Sequence, residues 1–456
     1  MAHRVWRVIT LLLALALVGT ACADVTFGDD ELTMSEMQAT AEAVFAEAAF
    51  TSVAEDASPT AAPATEPPAT QPAFPTLDLS PTPLLADLPT ESGPSPTATT
   101  DPILSVLPPT ATLEAPLPTV EPSPTVALPP LWEVYFTEPR RLGAGDEIVN
   151  RLISLINGAQ TSIHVVAFEF NLDPVADALI AAHERGVEVI WITDNEYGLV
   201  ADTDEGHGQF ARLRDAGITV LADNRTGLMH NKFIVIDGET VWTGSTNITH
   251  NDTQLNNNNV IVLHAPEAAA IYEREFTEML AGQFGPRSPS NVAEQWAIVE
   301  GVPVQVFFGP EDNVMSELAR LVDGAQESVR FMSFSFTHEA LGFIMRVQAG
   351  LGLDVAGVFE TLGSKTIYSE MQPFVCAGVP VRMDGNPRLL HHKVVIIDET
   401  IVATGSFNFS ANADQSNDEN LLVIASPDVA RLYIEEFNRR WEEGRTPEAG
   451  VDVTCD

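Results

Sequence analysis

At 456 residues with a formal charge of −41, the chain is long enough for two or three domains, but its composition rules out a packed core over much of that length. Of its 32 prolines, 20 fall between Pro59 and Pro130, and residues 24–130 carry 16 acidic and no basic side chains. From residue 131 onward 48 acidic groups still face 21 basic ones, a field that repels polyanions at long range and ranks nucleic acid low among candidate partners.

The first 23 residues place Arg4 and Arg7 before an apolar run from Val8 to Val18, followed by small residues. This is the pattern of a secretory signal, and the run is too short to span a bilayer. Gly19-Thr20-Ala21-Cys22 is similar to a bacterial lipoprotein processing site, with Gly19 where a Leu is usual, while Ala21-Cys22-Ala23 fits plain cleavage after Ala23. Lipidation of Cys22 and simple secretion both stay open, and both put the mature chain outside the cytoplasm, anchored at the cell membrane or released. Cys376 and Cys455 would then sit where disulfides persist. A bond between them and two buried thiols are both consistent with the sequence.

Residues 31–56, rich in Ala, Glu and Met, have apolar residues at roughly helical spacing, the mark of a short or transient helix. From Ser58 to Pro130 the repeated Pro, Thr, Ala and Ser cannot bury enough apolar surface to fold, so residues 24–130 read as an extended acidic linker. Order begins at Leu131, where Trp132 to Phe136 reads as a strand. A helix is expected over Asp146–Gln160, a strand over Ser162–Phe168, a helix over Pro174–Arg185 and a strand over Val187–Ile192, an alternation that argues for an α/β layer with a largely parallel sheet.

The same order then restarts. Asn157-Gly158-Ala159-Gln160 recurs as Asp323-Gly324-Ala325-Gln326, Phe168-Glu169-Phe170 as Phe334-Ser335-Phe336, and Tyr272-Glu273-Arg274-Glu275-Phe276 as Tyr433-Ile434-Glu435-Glu436-Phe437. A duplicated unit covers residues 131–285 and 297–446, with 447–456 left as a tail. Two repeats are too few for a solenoid, so a face-to-face pair with pseudo-twofold symmetry is expected.

The stretch with chemistry in it also occurs twice. His230-Asn231-Lys232 is followed by Asp237 and Gly244-Ser245-Thr246-Asn247; His391-His392-Lys393 is followed by Asp398 and Gly405-Ser406-Phe407-Asn408. On a strand, residues two apart share a face, so His230 and Lys232 point one way and Asp237 the other. Asp237-Gly238 is a turn signal, and the returning arm brings Ser245 and Asn247 back toward His230 and Lys232. Each copy thus offers an imidazole, a fixed cation and neutral donors without a carboxylate on that face, a set suited to an anion with several acceptor oxygens such as a phosphate diester.

These motifs, H-x-K-x4-D with G-S-x-N following, present twice, resemble the phospholipase D superfamily. The resemblance extends over both duplicated units and implies two tandem α/β repeats, mixed sheets flanked by helices, with one active site at their interface. It implies phosphodiester cleavage through a covalent phosphohistidine, with no metal or other cofactor, and a monomer that holds both half-sites. It also implies an acidic residue behind the ring of the catalytic His. Glu419 stands at that position after His391, and Asn258 stands at the same spacing after His230. A carboxylate stabilises imidazolium where an amide does not, so on these spacings His230 is expected to be the nucleophile and His391 the general acid. Asp237 and Asp398 are expected to be structural. His392, on the other face of its strand, and Arg225 and Arg388, ahead of the two motifs, are expected outside the chemistry. His207, His250, His264 and His338 match no motif, and no spacing resembles a metal site.

A phospholipid at a membrane surface is the first substrate reading and hydrolysis or transfer of its headgroup the reaction. A secreted endonuclease of the same superfamily is the second. The acidic folded part and the lack of a Lys/Arg-rich run count against the second.

Overall fold

The computed structural model describes residues 131–139 and 144–455; the signal segment, Cys22, the helix expected over 31–56 and the linker lie outside them. The first half contains strands β1 (Trp132–Phe136), β2 (Ser162–Ala167), β3 (Glu188–Thr193), β4 (Thr219–Ala222), β5 (Lys232–Ile236), β6 (Thr240–Gly244) and β7 (Asn259–His264). They form one sheet in the order β1-β7-β6-β5-β2-β3-β4. Its helices include α1 (Ala144–Gly158), α2 (Asp173–Glu184), α3 (Gln209–Asp215), α4 (His250–Gln254) and α5 (Pro266–Leu280).

The second half opens with a hairpin, β8 (Trp296–Val299) and β9 (Val302–Gly309). It then repeats the first with β10 (Ser328–Ser333), β11 (Asp354–Phe359), β12 (Val381–Met383), β13 (Lys393–Ile397), β14 (Ile401–Gly405) and β15 (Glu419–Ala425). Helices α6 (Val314–Asp323), α7 (Glu339–Gly350), α8 (Met371–Cys376), α9 (Ala411–Gln415) and α10 (Pro427–Glu443) accompany them. The order β12-β11-β10-β13-β14-β15-β9-β8 is the first sheet again with one added edge strand.

The expectation of a largely parallel sheet is corrected. Only β2–β3 and β3–β4 pair in parallel in the first half, whereas β1–β7, β7–β6, β6–β5 and β5–β2 are antiparallel. Helices α2 and α3 carry the chain over between β2, β3 and β4, whereas β5 and β6 are joined by a tight turn that can only reverse direction, and β7 returns antiparallel to β6 after the segment that holds α4.

Three apolar clusters hold the halves. One lies within each repeat, and the third is shared, joining Phe233 and Tyr272 of the first half to Phe308, Val394 and Tyr433 of the second. The Phe233 and Tyr272 rings lie 5.0 Å apart and Tyr272 meets Phe308 edge-on at 5.6 Å. Each aromatic side chain so buried contributes roughly 1.5–3 kcal/mol, so the interface between repeats is itself a core. Cys376 and Cys455 are joined in a disulfide, tying the C-terminal tail to α8.

Acidic groups are buried in the fold as well. Burial, with neighbouring carboxylates, pushes Glu275 and Glu311 well above the usual carboxylate range, and burial lifts Asp418 and Glu360 to about 7. These groups hold protons in the fold at a pH where the unfolded chain has released them. Their contribution is therefore full below the ordinary carboxylate value of about 4 and is lost as pH rises through 7. Half-buried His338 and fully buried His392 are depressed by desolvation and act in the opposite sense, weakening the fold below their ordinary value of about 6.5. A melting series should therefore show Tm falling between roughly pH 6.5 and 8.5; a rise across that window would contradict the assignment.

Candidate active site

Each half-site is a hairpin, β5–β6 or β13–β14, with its Asp at the turn. Asp237 adopts φ 56° and Asp398 φ 51°, a left-handed conformation that Asp tolerates. The carboxylate of Asp237 accepts from the backbone N–H groups of Gln160, Thr161 and Ser162 and from the Thr161 hydroxyl, at 2.7–3.0 Å. Asp398 does the same for Gln326, Glu327 and Ser328. Both therefore clamp the turn before β2 or β10 and face away from the imidazoles. Asp237→Asn is expected to cost about 1–3 kcal/mol of stability, read by denaturant melts, while leaving kcat of the folded fraction unchanged.

The Gly that opens each G-S-x-N is needed for close approach. A Cβ on Gly244 would overlap the Asn259 carbonyl oxygen, and one on Gly405 that of Asn420, with φ of 144° and 156°. Only Gly fits, and the tight turn puts Ser245 and Asn247, or Ser406 and Asn408, beside the imidazoles.

His230, Asn247 and His391 line a single polar cleft together with Phe168, Glu169, Thr249, Asn251, Asp252, Asn256, Phe334 and Leu389. The rings of Phe168 and Phe334 stand edge-on to His230 and His391, each 4.8 Å between centroids. The Lys232 ammonium lies 5.1 Å over Phe168 and donates to the His230 carbonyl at 2.8 Å; Lys393 lies 4.6 Å over Phe334 and donates to the His391 carbonyl at 3.0 Å. Ser245 Oγ donates to Asn258 Oδ1 at 2.8 Å, and Ser406 Oγ accepts from the Asn420 N–H at 2.9 Å. The Oδ1 atoms of Asn247 and Asn408 are buried without a hydrogen-bond partner.

The acceptors behind the imidazoles are exchanged between the halves, which corrects the expected pairing. His230 Nδ1 lies 2.8 Å from Glu419 Oε2, and His391 Nδ1 lies 3.0 Å from Asn258 Oδ1. The backbone dictates this: Met229 bridges to Asp418 and Asn257 to Leu390, with the His230 N–H donating to Asp418 O and the His391 N–H to Asn257 O, both at 2.9 Å. The residue just before each His is thus laced to the stretch just before the other half's acceptor. When Glu419 is ionised it can only accept, and Nδ1 of His230 then carries the proton while Nε2 keeps its lone pair.

Burial, and then the ammonium groups of Lys232 and Lys393, hold both imidazoles well below their usual value. Burial pushes Glu419 up to about 8 against the pull of Lys232. Without an anion the site keeps its imidazoles neutral and its lysines poised for negative charge.

His392 is fully buried, 3.0 Å from Glu436 Oε1 and 3.1 Å from Asn259 Nδ2. Arg225 pairs with Asp418 and donates to the Ser416 carbonyl at 3.0 Å, crossing between the halves as a structural tie. Arg388 is exposed. Sequence reasoning missed Asp252, whose Oδ2 lies 3.4 Å from His391 Nδ1, and Glu169, whose Oε2 lies 3.5 Å from Asn247 Nδ2. Asp252 belongs to no repeated motif, and Glu169 is the one position that changes, to Ser335, in the recurring Phe168-Glu169-Phe170. The signal available was that Asp252 has no acidic counterpart, Ala413 standing at its place.

The family model described as cardiolipin synthase, PLD-like domain, matches twice, over residues 152–280 and 318–441, more than half of the chain. The chain belongs to the phospholipase D superfamily. The chain is similar to the mitochondrial cardiolipin hydrolase of Xenopus tropicalis, 37% identical over 143 residues, and to the phospholipase D of Rickettsia conorii, 28% over 137 residues. These matches take in 31% and 30% of this chain, and 65% and 68% of those proteins' own length. Against the frog protein the chain thus spans just under two thirds of its relative's length. Among solved structures it is similar to Nuc of Salmonella typhimurium, a phospholipase D family member, at 34% identity and TM-score 0.31, covering 32% of this chain and 97% of that one. Phosphatidylserine synthase of Haemophilus influenzae shares the fold at 16% identity and TM-score 0.51, covering 68% of this phospholipase D-like chain and 87% of that one.

Proposed function

We propose that this phospholipase D-like chain hydrolyses or transfers the phosphodiester headgroups of phospholipids through a covalent phosphohistidine. The observation that carries the reading is the pair of imidazoles in one polar cleft, each fixed at Nδ1 by the other half and each beside a lysine. His230 is the nucleophile: Nε2 forms the P–N bond as the P–O bond to the leaving alcohol breaks, and the charge that develops on its ring lies directly against Glu419. The negative charge of the bound diester favours the imidazolium form of His391, which gives its Nε2 proton to the leaving oxygen. His391 then takes a proton from water, or from an acceptor alcohol, as that oxygen attacks phosphorus and releases His230. Lys232, Lys393, Asn247 and Asn408 stabilise the phosphoryl oxygens.

The reason for assigning the attack to His230 thus differs from the one the spacing suggested. What supports the attack by His230 is stabilisation of the cationic adduct by a carboxylate 2.8 Å away. Rapid quench with a labelled diester should leave the label on His230, and label on His391 would reverse the roles.

A lipid substrate is supported by the names of the relatives, cardiolipin hydrolase and phospholipase D, and by the acidic folded part. Glu169 in the cleft, where the second half has Ser335, favours a cationic or zwitterionic headgroup over a second phosphate. An extracytoplasmic chain held to the membrane at Cys22 would meet such a substrate directly, and incorporation of labelled fatty acid at Cys22 tests that anchor. The purified chain should release choline from phosphatidylcholine vesicles with a chelator present; nicking of plasmid DNA without choline release would overturn the lipid reading in favour of the endonuclease.

A further inference from the structure

The two half-sites differ at a matched pair of positions. The step along the chain that carries His230 to His391 also carries Asp252 to Ala413 and Asn258 to Glu419. The second half therefore has a carboxylate at the start of β15 and an alanine on α9, while the first has an amide just before β7 and a carboxylate on α4. Because the acceptors are exchanged, the amide serves His391, which would otherwise have no anionic partner.

We propose that Asp252 is the positioning carboxylate of His391, supplying from α4 the negative charge that Asn258 does not. Its Oδ2 lies 3.4 Å from His391 Nδ1, beside the 3.0 Å hydrogen bond to Asn258 Oδ1. Asn258 is also bound to the same helix, its Nδ2 donating to the Asp252 carbonyl at 3.1 Å. Acid and amide are therefore one unit behind one ring.

Two observations argue against a role in the helix alone. Asp252 is buried, 3% exposed, and both its oxygens accept from N–H groups, Oδ2 from the Asn247 backbone at 2.7 Å and Oδ1 from Asn256 Nδ2 at 2.6 Å. Burial raises its pKa, and these donors, with the two lysines of the cleft, pull the other way and favour the ionised form. The counterpart helix α9 forms with Ala413 at this place and is capped in the same way, Ser410 Oγ accepting from the Ala413 N–H as Thr249 Oγ1 accepts from that of Asp252. A carboxylate is therefore not needed to make the turn.

The charges around His391 explain why one is needed there. Lys393 and His392 press on it from its own half, and Lys232 and His230 from the other. All of these disfavour imidazolium, the form a leaving-group acid must hold, and Asp252 on α4 opposes them.

The consequence for turnover rests on the phosphodiesterase reading; the coupling of Asp252 to His391 does not. The test uses the full chain with Asp252→Asn, Asp252→Ala and the double variant Asp252→Ala/Asn258→Glu, which gives the first half the arrangement of the second. The pKa of His391 is read by ¹⁵N NMR, and kcat/KM for bis(4-nitrophenyl) phosphate is followed against pH. Both single variants should lower the His391 pKa by about 1 unit or more, move the alkaline limb of the profile to lower pH and reduce kcat/KM on the order of 10–100-fold, while the double variant restores all three. An unchanged His391 pKa in a folded Asp252→Asn protein would overturn the proposal, as would a folded double variant no better than Asp252→Ala. If the parent chain does not turn over the diester, the phosphodiesterase reading fails and the NMR arm still decides the role of Asp252.

Discussion

His230→Ala is expected to lower kcat on the order of 10⁴-fold or more, His391→Ala to do the same, and the double variant to be little worse than either. In the proposed mechanism attack and protonation occur in one displacement: an imidazole that attacks with no acid to release the leaving oxygen fails about as completely as one that is absent. Both rings lie buried in a cleft whose walls come from both halves, so small losses of packing will accompany the substitutions. Matched melting curves separate those losses from the chemistry. Additive losses, with the double variant as slow as the product of the two single effects requires, would show that the histidines serve independent steps.

Glu419→Gln is the second large effect, with a loss in kcat on the order of 10³-fold expected from removing the anionic partner of a catalytic imidazole. Glutamine keeps an acceptor oxygen, so the ring can stay oriented while the charge opposite it disappears. The intermediate is the more sensitive quantity. With Glu419 bonded to His230 Nδ1 at 2.8 Å, the variant should accumulate less phosphoenzyme in single-turnover experiments, because the cationic adduct has lost its counter-charge. Slow turnover with phosphoenzyme that builds up instead of falling would place Glu419 behind the second step.

Much of this site could be read from the residues. The geometry of a strand, on which residues two apart share a face, and the turn at Asp237-Gly238 gave the hairpin, the shared face of His230 and Lys232, and the outward face of Asp237. The duplication and its restart near residue 297 followed from recurring segments such as Phe168-Glu169-Phe170 and Phe334-Ser335-Phe336. What stayed hidden is what depends on how the repeats meet. Spacing along the chain ties Glu419 to His391, yet the bridges Met229–Asp418 and Asn257–Leu390 deliver each acceptor to the opposite half. Sequence distance carries no information about a symmetry axis. Sheet direction was misread for a similar reason, since alternation of helix and strand early in each repeat says nothing about the three-strand meander that follows. Asp252 was invisible because its value lies in proximity to a ring contributed by the other repeat, far along the chain.

The exchange of Glu419 and Asn258 across the interface has a consequence in time. A chain made from its N-terminus presents His230, Lys232, Ser245 and Asn247 long before residue 419 exists, with every motif residue of the first repeat already in the chain. That repeat alone would still lack the carboxylate on which its own imidazole depends. On the proposed mechanism the site is complete only once β15 of the second repeat has docked and brought Glu419 to His230. Turnover, on that mechanism, reports that both halves have finished folding.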